Sequence, residues 1–277
     1  MIKTDFPLAG VIGNPIGHSR SPLMHKHWLR RYGLPGDYVP LHVIEGDLER
    51  VLRTLPRMGF VGTNVTLPHK TAALQIADHQ SDRATLIGAA NTLTFRDDGS
   101  IFADNTDGYG FMSNVRQGAP KWDPKSGPAF VLGAGGAARA IIVALADAGV
   151  PQILLANRTR AKAEALKAEF GQRIRIVEWV KVGDVIEDAA IVINTTSLGM
   201  TGQPALRVNL DNLQPHTVVT DIVYSPLQTP LLQTAAAMGC VTVDGLGMLL
   251  HQGVPGFERW FGKRPEVDDA LRAAVLA

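Results

Sequence analysis

With only one cysteine, Cys240, this 277-residue chain cannot form an internal disulfide, so packing alone must supply its stability. Cys240 lies in an apolar, strand-like run, Cys240-Val-Thr-Val243, and reads as a small buried hydrophobe. Neither sign of charge dominates. Lys and Arg total 27 against 26 Asp and Glu, a net charge of +1, which gives no reason to invoke nucleic acid or an anionic membrane as partner. Glycines or charges interrupt every apolar segment, so no membrane span is expected. A signal peptide is not expected either, because Lys3 is followed closely by Asp5 and Pro7. His18, His25, His27, His69 and His251 lack the spacing of a metal site, and loop or surface roles are expected for all five. Together these absences lead us to expect a soluble, cytoplasmic protein without a metal. The length suffices for two domains.

What the chain does contain is a glycine turn in the right setting. Gly133-Ala-Gly-Gly-Ala-Ala-Arg139 follows the apolar run Ala129-Phe-Val-Leu132 and leads into the helical pattern Ala140-Ile-Ile-Val-Ala-Leu-Ala146. Strand, glycine turn and helix in that order form a dinucleotide fingerprint, with Ala138 where the motif accepts Gly or Ala. Such a turn lets backbone amides and the helix dipole stabilise a pyrophosphate. The next strand, Gln152-Ile-Leu-Leu-Ala156, should end in Asp or Glu if a ribose 2′-hydroxyl were recognised. It ends in Asn157-Arg158, and a guanidinium suits a 2′-phosphate, so the expected cofactor is NADP(H). Lys162, one helical turn on, could add to the same basic pocket or simply lie in water.

Before the fingerprint, short apolar runs alternate with helical patterns. Leu8 to Gly13, Tyr38 to Val43 and Gly59 to Thr66 read as strands; Pro22 to Tyr32 and Asp47 to Leu55 read as helices, the second with Asp47 as N-cap. Thr92 to Arg96, Asp98-Gly99 and Ile101 to Ala103 form one hairpin signal. The stretch from 120 to 128 reads as a connection, followed by strands at 175–177, 191–194, 218–221 and 241–244. Helices are expected at 230–238, 248–261 and from 266 onward. The alternation predicts an α/β protein of two domains.

Three polar segments of the first half could carry chemistry. Ser19 and Ser21 sit in a Pro/Gly loop just before a helix, where hydroxyls can donate to a ligand carboxylate or Ser21 can simply cap the helix ahead of Pro22. In Gly62-Thr-Asn-Val-Thr-Leu-Pro-His-Lys70 a strand ends at Thr66, Pro68 turns the chain, and Lys70 begins a helix. The positive end of a helix dipole disfavours a cation, so a lysine in that place calls for a reason. Asp104-Asn-Thr-Asp107-Gly108 opens another helix, which Asp107 could cap; alternatively it could orient Lys70 as an acid/base.

These segments, in order and over nearly the whole chain, resemble the shikimate dehydrogenase family. The matching motifs are His18-Ser-Arg-Ser-Pro22, Asn64-Val-Thr-Leu-Pro-His-Lys70, Gly88-Ala-Ala-Asn-Thr92, Asn105-Thr-Asp107-Gly108, Gly133-Ala-Gly-Gly-Ala137, Asn157-Arg-Thr159, Asn194-Thr-Thr-Ser197, Asp221 to Tyr224 and Gly247-Met-Leu-Leu-His-Gln252. The resemblance implies reversible NADPH-dependent reduction of 3-dehydroshikimate to shikimate. It implies that Lys70 and Asp107 form the catalytic pair, that Ser19, Ser21 and Tyr224 contact the substrate carboxylate, and that Thr66, Asn91 and Gln252 bind its hydroxyls. On the cofactor side it implies Gly133, Ala134, Gly135, Gly136 and Ala137 for the pyrophosphate, with Asn157, Arg158, Thr159 and Lys162 for the 2′-phosphate. Ile222 and Gly245 match positions beside the nicotinamide, and Asp82 matches a further cofactor contact.

The fold so implied has a substrate-binding domain, residues 1–106 and 246–277, and a Rossmann-like NADP-binding domain, residues 107–245. It is compatible with a homodimer. The chain departs from the family's usual residues at Ala90 and Gly253, and at Lys162, which keeps the charge of a common arginine but loses its fork. Two rival readings remain. A quinate/shikimate enzyme accepting NAD is opposed by Asn157-Arg158 and by serine at both 19 and 21. A non-catalytic sensor predicts loss of Lys70 or Asp107, and both are present.

Overall fold

A computed structural model describes residues 4–277; Lys3, used above to read the N-terminus, lies outside the described residues. The chain forms two compact units, each with its own six-stranded sheet. One runs to Asp107 and takes up the chain again at Leu249–Ala277; the other is Gly108–Met248. The divisions fall one and three residues beyond the expected 106/107 and 245/246.

The first unit contains β1 (Leu8–Gly13), α1 (Ser21–Tyr32), β2 (Asp37–His42), α2 (Leu48–Thr54), β3 (Phe60–Val65), α3 (Lys70–Ile76), β4 (His79–Gln80), α4 (Asp82–Ile87), β5 (Thr92–Phe95) and β6 (Ile101–Asp104). Its sheet runs β2-β1-β3-β5-β6-β4, parallel from β2 to β3 and antiparallel through the β5–β6 hairpin. The mixture follows from the connections, since crossover helices give parallel neighbours and the Asp98-Gly99 turn gives an antiparallel pair.

The second unit is built from α5 (Asp107–Gly118), β7 (Ala129–Leu132), α6 (Gly136–Asp147), β8 (Ile153–Ala156), α7 (Arg160–Phe170), β9 (Ile174–Val177), α8 (Val182–Val185), β10 (Ile191–Asn194), β11 (Val218–Asp221), α9 (Pro230–Ala237) and β12 (Val241–Val243). All six strands are parallel, in the order β12-β11-β10-β7-β8-β9. That is the Rossmann order, whose reversal point lies between β7 and β10. Residue alternation sorts the core: Val131, Ile191 and Ile193 join one apolar layer, while Phe130, Leu132 and Val192 join the opposite one. Helix α10 (Leu246–Phe261) carries the chain out of this unit, and α11 (Asp269–Leu276) ends it. Among the described residues, no helix is long and apolar enough to cross a membrane.

Four local expectations fail for physical reasons. Asp47 precedes α2 but its side chain caps nothing and instead accepts from Arg50 at 2.8 Å. Ser21 is the first helical residue, not the cap, because Arg20 already has helical backbone angles. His25 is not at the surface: it is fully buried, stacked on Tyr38 at 4.0 Å and edge-on to Trp28. His69 is buried too, with Nε2 2.7 Å from the Val43 carbonyl, fastening the turn ahead of α3. His25 faces inward because the register of α1 puts it on the core side, while His69 is buried in the turn just before α3.

Candidate active site

In the first unit, β3 ends one residue before Thr66, whose amide donates to Ile12 O at 2.8 Å. His69 N then closes a turn on Thr66 O at 3.0 Å, and Lys70 starts α3. The cation that the helix dipole disfavours has its partner. Lys70 Nζ donates to Asp107 Oδ2 at 2.6 Å, with side-chain exposures of 27% and 13%, too buried for water to screen the pair fully. Asp107 is the first residue of α5, where a carboxylate is favoured by the dipole. Its own amide is taken by Asn105 Oδ1 at 3.0 Å, which leaves the carboxylate free to face Lys70.

Asn91 fixes the second carboxylate oxygen. Its Nδ2 donates to Asp107 Oδ1 at 2.7 Å and to Gln252 Oε1 at 3.3 Å. Its Oδ1 accepts from Thr106 N at 2.8 Å, Thr106 Oγ1 at 3.1 Å and Thr92 Oγ1 at 3.0 Å. Thr106 Oγ1 also reaches Gln252 O at 2.8 Å. An amide with this many partners cannot rotate without losing several bonds at once. The structure therefore brings Lys70, Asn91, Asp107 and Gln252 into one bonded group. Thr66 and Ser19 are half-buried, and Ser19 Oγ accepts from Ser21 N at 3.3 Å. Thr106 and Asn105, absent from the expected site residues, position Asn91 and Asp107; their place in Asn105-Thr-Asp107 was the available signal.

In the second unit, the ends of β7 and β10 and the start of α7 enclose a cavity of about 290 Å³. Gly133, Ala134, Gly135, Asn157, Arg158, Thr159 and Lys162 line it, as expected, together with Trp179 and Thr195–Leu198, which were not. Gly133 has φ +110°, and a Cβ there would stand 2.7 Å from Thr195 Oγ1, so only glycine fits. Gly135 and Gly136, by contrast, face open space at the N-terminus of α6. That space with amides around it is what a pyrophosphate requires.

The charges differ in the same instructive way. Arg160 is paired with Glu164 and Glu178, and Arg139 with Glu169. Arg158 and Lys162 are exposed with no carboxylate partner among the described residues, so their charge is available to a ligand. Asn157 Nδ2 donates to Thr159 O at 2.8 Å and shapes the loop that carries Arg158. Gly245 packs on Ile222: a Cβ would stand 2.4 Å from the Ile222 carbonyl oxygen. Tyr224 is half-buried just beyond β11, and Asp82 is exposed at the start of α4 in the first unit, not among the residues lining this cavity. The residues present fit an NADP-type cofactor.

At the end of β11, Asp221 is buried and accepts from Asn194 Nδ2 at 2.9 Å, Val223 N at 3.0 Å and Thr229 Oγ1 at 2.8 Å. Burial without a cation holds its carboxyl above the usual carboxylate range.

Family models match three consecutive stretches: the shikimate dehydrogenase substrate binding domain at residues 11–93, shikimate/quinate 5-dehydrogenase at 120–230, and the shikimate 5′-dehydrogenase C-terminal domain at 245–275. A shikimate dehydrogenase (NADP(+)) from Roseobacter denitrificans is 64% identical over 276 residues, covering 100% of both chains. The chain belongs to the shikimate dehydrogenase family. Among solved structures of that family, shikimate 5-dehydrogenase from Thermus thermophilus in complex with NADP(H) and shikimate matches at TM-score 0.86 and 36% identity, covering 98% of each chain. Quinate dehydrogenase from Corynebacterium glutamicum in complex with NAD matches at TM-score 0.91 and 32% identity, covering 99% of each. The family fold thus serves both substrates and both cofactors, and individual residues must decide between them.

Proposed function

We propose that this chain reversibly reduces the 3-keto group of 3-dehydroshikimate to shikimate with NADPH, and that Lys70 is its general acid/base. The observation that carries the reading is the Lys70–Asp107 pair, held at 2.6 Å and braced through Asn91. When bound, NADPH supplies the hydride to C3. Lys70 Nζ gives a proton to the C3 oxygen as negative charge develops there, and takes it back in the oxidative direction. Asp107 keeps the ammonium aimed and meets the substrate; because Asn91 fixes the carboxylate in advance, little reorganisation is left for the reacting state.

Ser19, Ser21 and Tyr224 are assigned to the substrate carboxylate, and Thr66, Asn91 and Gln252 to the ring hydroxyls. Gly133 to Ala137 take the pyrophosphate at the α6 N-terminus. Asn157, Arg158, Thr159 and Lys162 take the 2′-phosphate, and Ile222 and Gly245 stand beside the nicotinamide. Asp82 rests on the family resemblance alone. The same resemblance supports a place in chorismate and aromatic amino acid biosynthesis, a cytoplasmic location and a homodimer, the last tested by light scattering on the purified chain.

The deciding assay crosses shikimate or quinate with NADP or NAD and follows reduced cofactor by absorbance. Turnover confined to shikimate with NADP supports the reading. Comparable turnover with quinate or NAD moves the chain to the dual-specificity branch, and none with any pair sinks the catalytic assignment.

A further inference from the structure

The chain has four tryptophans, and three of them are committed to the interior. Trp28 and Trp260 are buried and donate their indole N–H to the Glu266 and Leu93 carbonyls at 2.9 and 3.0 Å. Trp122 has its Nε1 closed off from solvent. Trp179 differs from all three. It is half-buried, rests against the apolar layer that holds Val177 and Val182, and lines the glycine-loop cavity. Among the described residues its N–H has no hydrogen bond and its ring no aromatic or cation–π partner. An indole set between the core and a cavity offers an open stacking surface.

Strand register explains why it stands there. The last ladder pair between β8 and β9 is Ala156 with Val177. Arg158 and Trp179 each stand two residues beyond that pair, at the carboxyl ends of adjacent parallel strands. Arg160, at the start of α7, approaches Glu178 at 3.5 Å and ties the two segments together. In the cofactor, the 2′-phosphate assigned to Arg158 and Lys162 and the adenine base are carried by neighbouring ribose carbons. Whatever takes the phosphate therefore has the base beside it. Trp179 is the one aromatic residue lining this cavity among the described residues; the rest of the lining is glycine, alanine, polar side chains and Leu198.

We infer that Trp179 is the stacking platform for the adenine ring of the bound cofactor. The inference rests on the NADP reading above and adds to it a contact with the base. The flat apolar face of a purine suits an indole, and stacking of this kind is indifferent to the 2′-phosphate. The two side chains then divide the nucleotide between them. Arg158 reads the phosphate that distinguishes NADP from NAD, and Trp179 holds the base that both share.

The test is a binding titration of the full-length chain with ADP-ribose and with its 2′-phosphate, neither of which carries nicotinamide or can react. Both are transparent at the red edge of tryptophan absorption, so the difference in emission between the parent and Trp179→Phe isolates Trp179. Saturation with either ligand should quench that difference. In calorimetry Trp179→Ala should weaken both ligands by the same factor, about tenfold, whereas Arg158→Ala weakens only the 2′-phosphorylated one. Trp179→Phe keeps a flat ring and should stay within about threefold of the parent. Trp179 emission that saturation leaves unchanged overturns the inference. So does an unaltered affinity in Trp179→Ala, or a loss confined to the 2′-phosphorylated ligand, which would make Trp179 a support of the phosphate loop. The emission readout compares the parent with a conservative variant and stands even where Trp179→Ala disturbs folding. A parent that binds neither ligand sinks the NADP reading along with this one, whereas binding that ignores Trp179 sinks this inference alone.

Discussion

The polar groups of the two units are spent in opposite ways. In the first, Lys70, Asp107, Asn91 and Gln252 are largely buried and bonded to one another before any ligand arrives. In the second, Arg158 and Lys162 are exposed and have no carboxylate partner among the described residues, beside glycines that face open space. The contrast teaches what each task needs. Proton transfer gains from groups already fixed in a poorly screened setting, since nothing must reorganise as charge moves. Holding a phosphate gains from uncommitted charge, because an arginine already paired would have to give up one anion to take another. The neighbouring Arg160 and Arg139, both paired, show that the second unit could have neutralised these cations and does not.

Removing the ammonium should break the first arrangement most severely. Lys70→Ala is expected to lower kcat by about 10²–10⁴-fold in steady-state assays, the usual range for loss of a general acid/base, with shikimate affinity little changed. Equal kcat in variant and parent would take Lys70 out of the chemistry. A second test addresses the buried interior of the same unit. Among the described residues His25 has no hydrogen-bond partner for either ring nitrogen, and burial pushes its pKa down to about 3 from 6.5. The folded state therefore binds fewer protons than the unfolded one between those values, so stability is intact above pH 6.5 and falls as pH drops towards 3. The loss from this residue amounts to about 3 kcal/mol by pH 4. His25→Leu should flatten that part of the stability curve in urea melts at pH 4 and pH 7. A variant that loses as much stability as the parent over that interval would show that His25 is not the group responsible.

Asp221 gives a smaller test of opposite sign. Its carboxyl is held above its ordinary range, so the folded state binds the extra proton, and stability falls as pH rises from the ordinary carboxylate range through the raised value. Asp221→Asn should gain on the parent as pH climbs across that window, as thermal melts at pH 4 and pH 7 would register. A constant difference at the two pH values would mean that the carboxyl is not strained by burial.

The sequence was most legible where chemistry is local. Strand boundaries at 8–13, 129–132, 191–194 and 218–221 followed from apolar runs, and the glycine turn announced its helix because the motif is contiguous. The pairing of Lys70 with Asp107 was not legible from spacing. The residues lie 37 apart, on different helices; their chemistry allowed a pair, and only the family resemblance favoured it over a simple helix cap. Asn91 looked like one polar residue in Gly88-Ala-Ala-Asn-Thr92, and nothing in that run tells that its two amide atoms would reach Asp107, Gln252, Thr106 and Thr92. Trp179 and Thr195–Leu198 were missed for the same reason. They reach the cofactor cavity through the parallel order of β10, β7, β8 and β9, which is a property of the sheet and not of any segment. Ser21 failed as a cap because the helix already starts after Arg20, and Asp47 because, though it stands in the cap position, its carboxylate is taken by Arg50.

The second arrangement can be sharpened residue by residue, with smaller effects. Arg158→Ala should raise KM for NADP about tenfold or more and leave KM for NAD nearly unchanged, because only the first carries the phosphate that the guanidinium serves. Equal weakening of both cofactors would make Arg158 a structural residue of the loop that Asn157 shapes. Lys162 offers the finer measurement. Its ammonium is a single point charge at the edge of the same cavity, exposed and screened, so Lys162→Ala should cost about threefold in KM for NADP. Lys162→Arg restores a planar fork and should lower KM for NADP below that of the parent, with NAD again unaffected. If Lys162→Arg leaves the NADP/NAD ratio where it was, the fork adds nothing here, and cofactor choice rests on Arg158 alone.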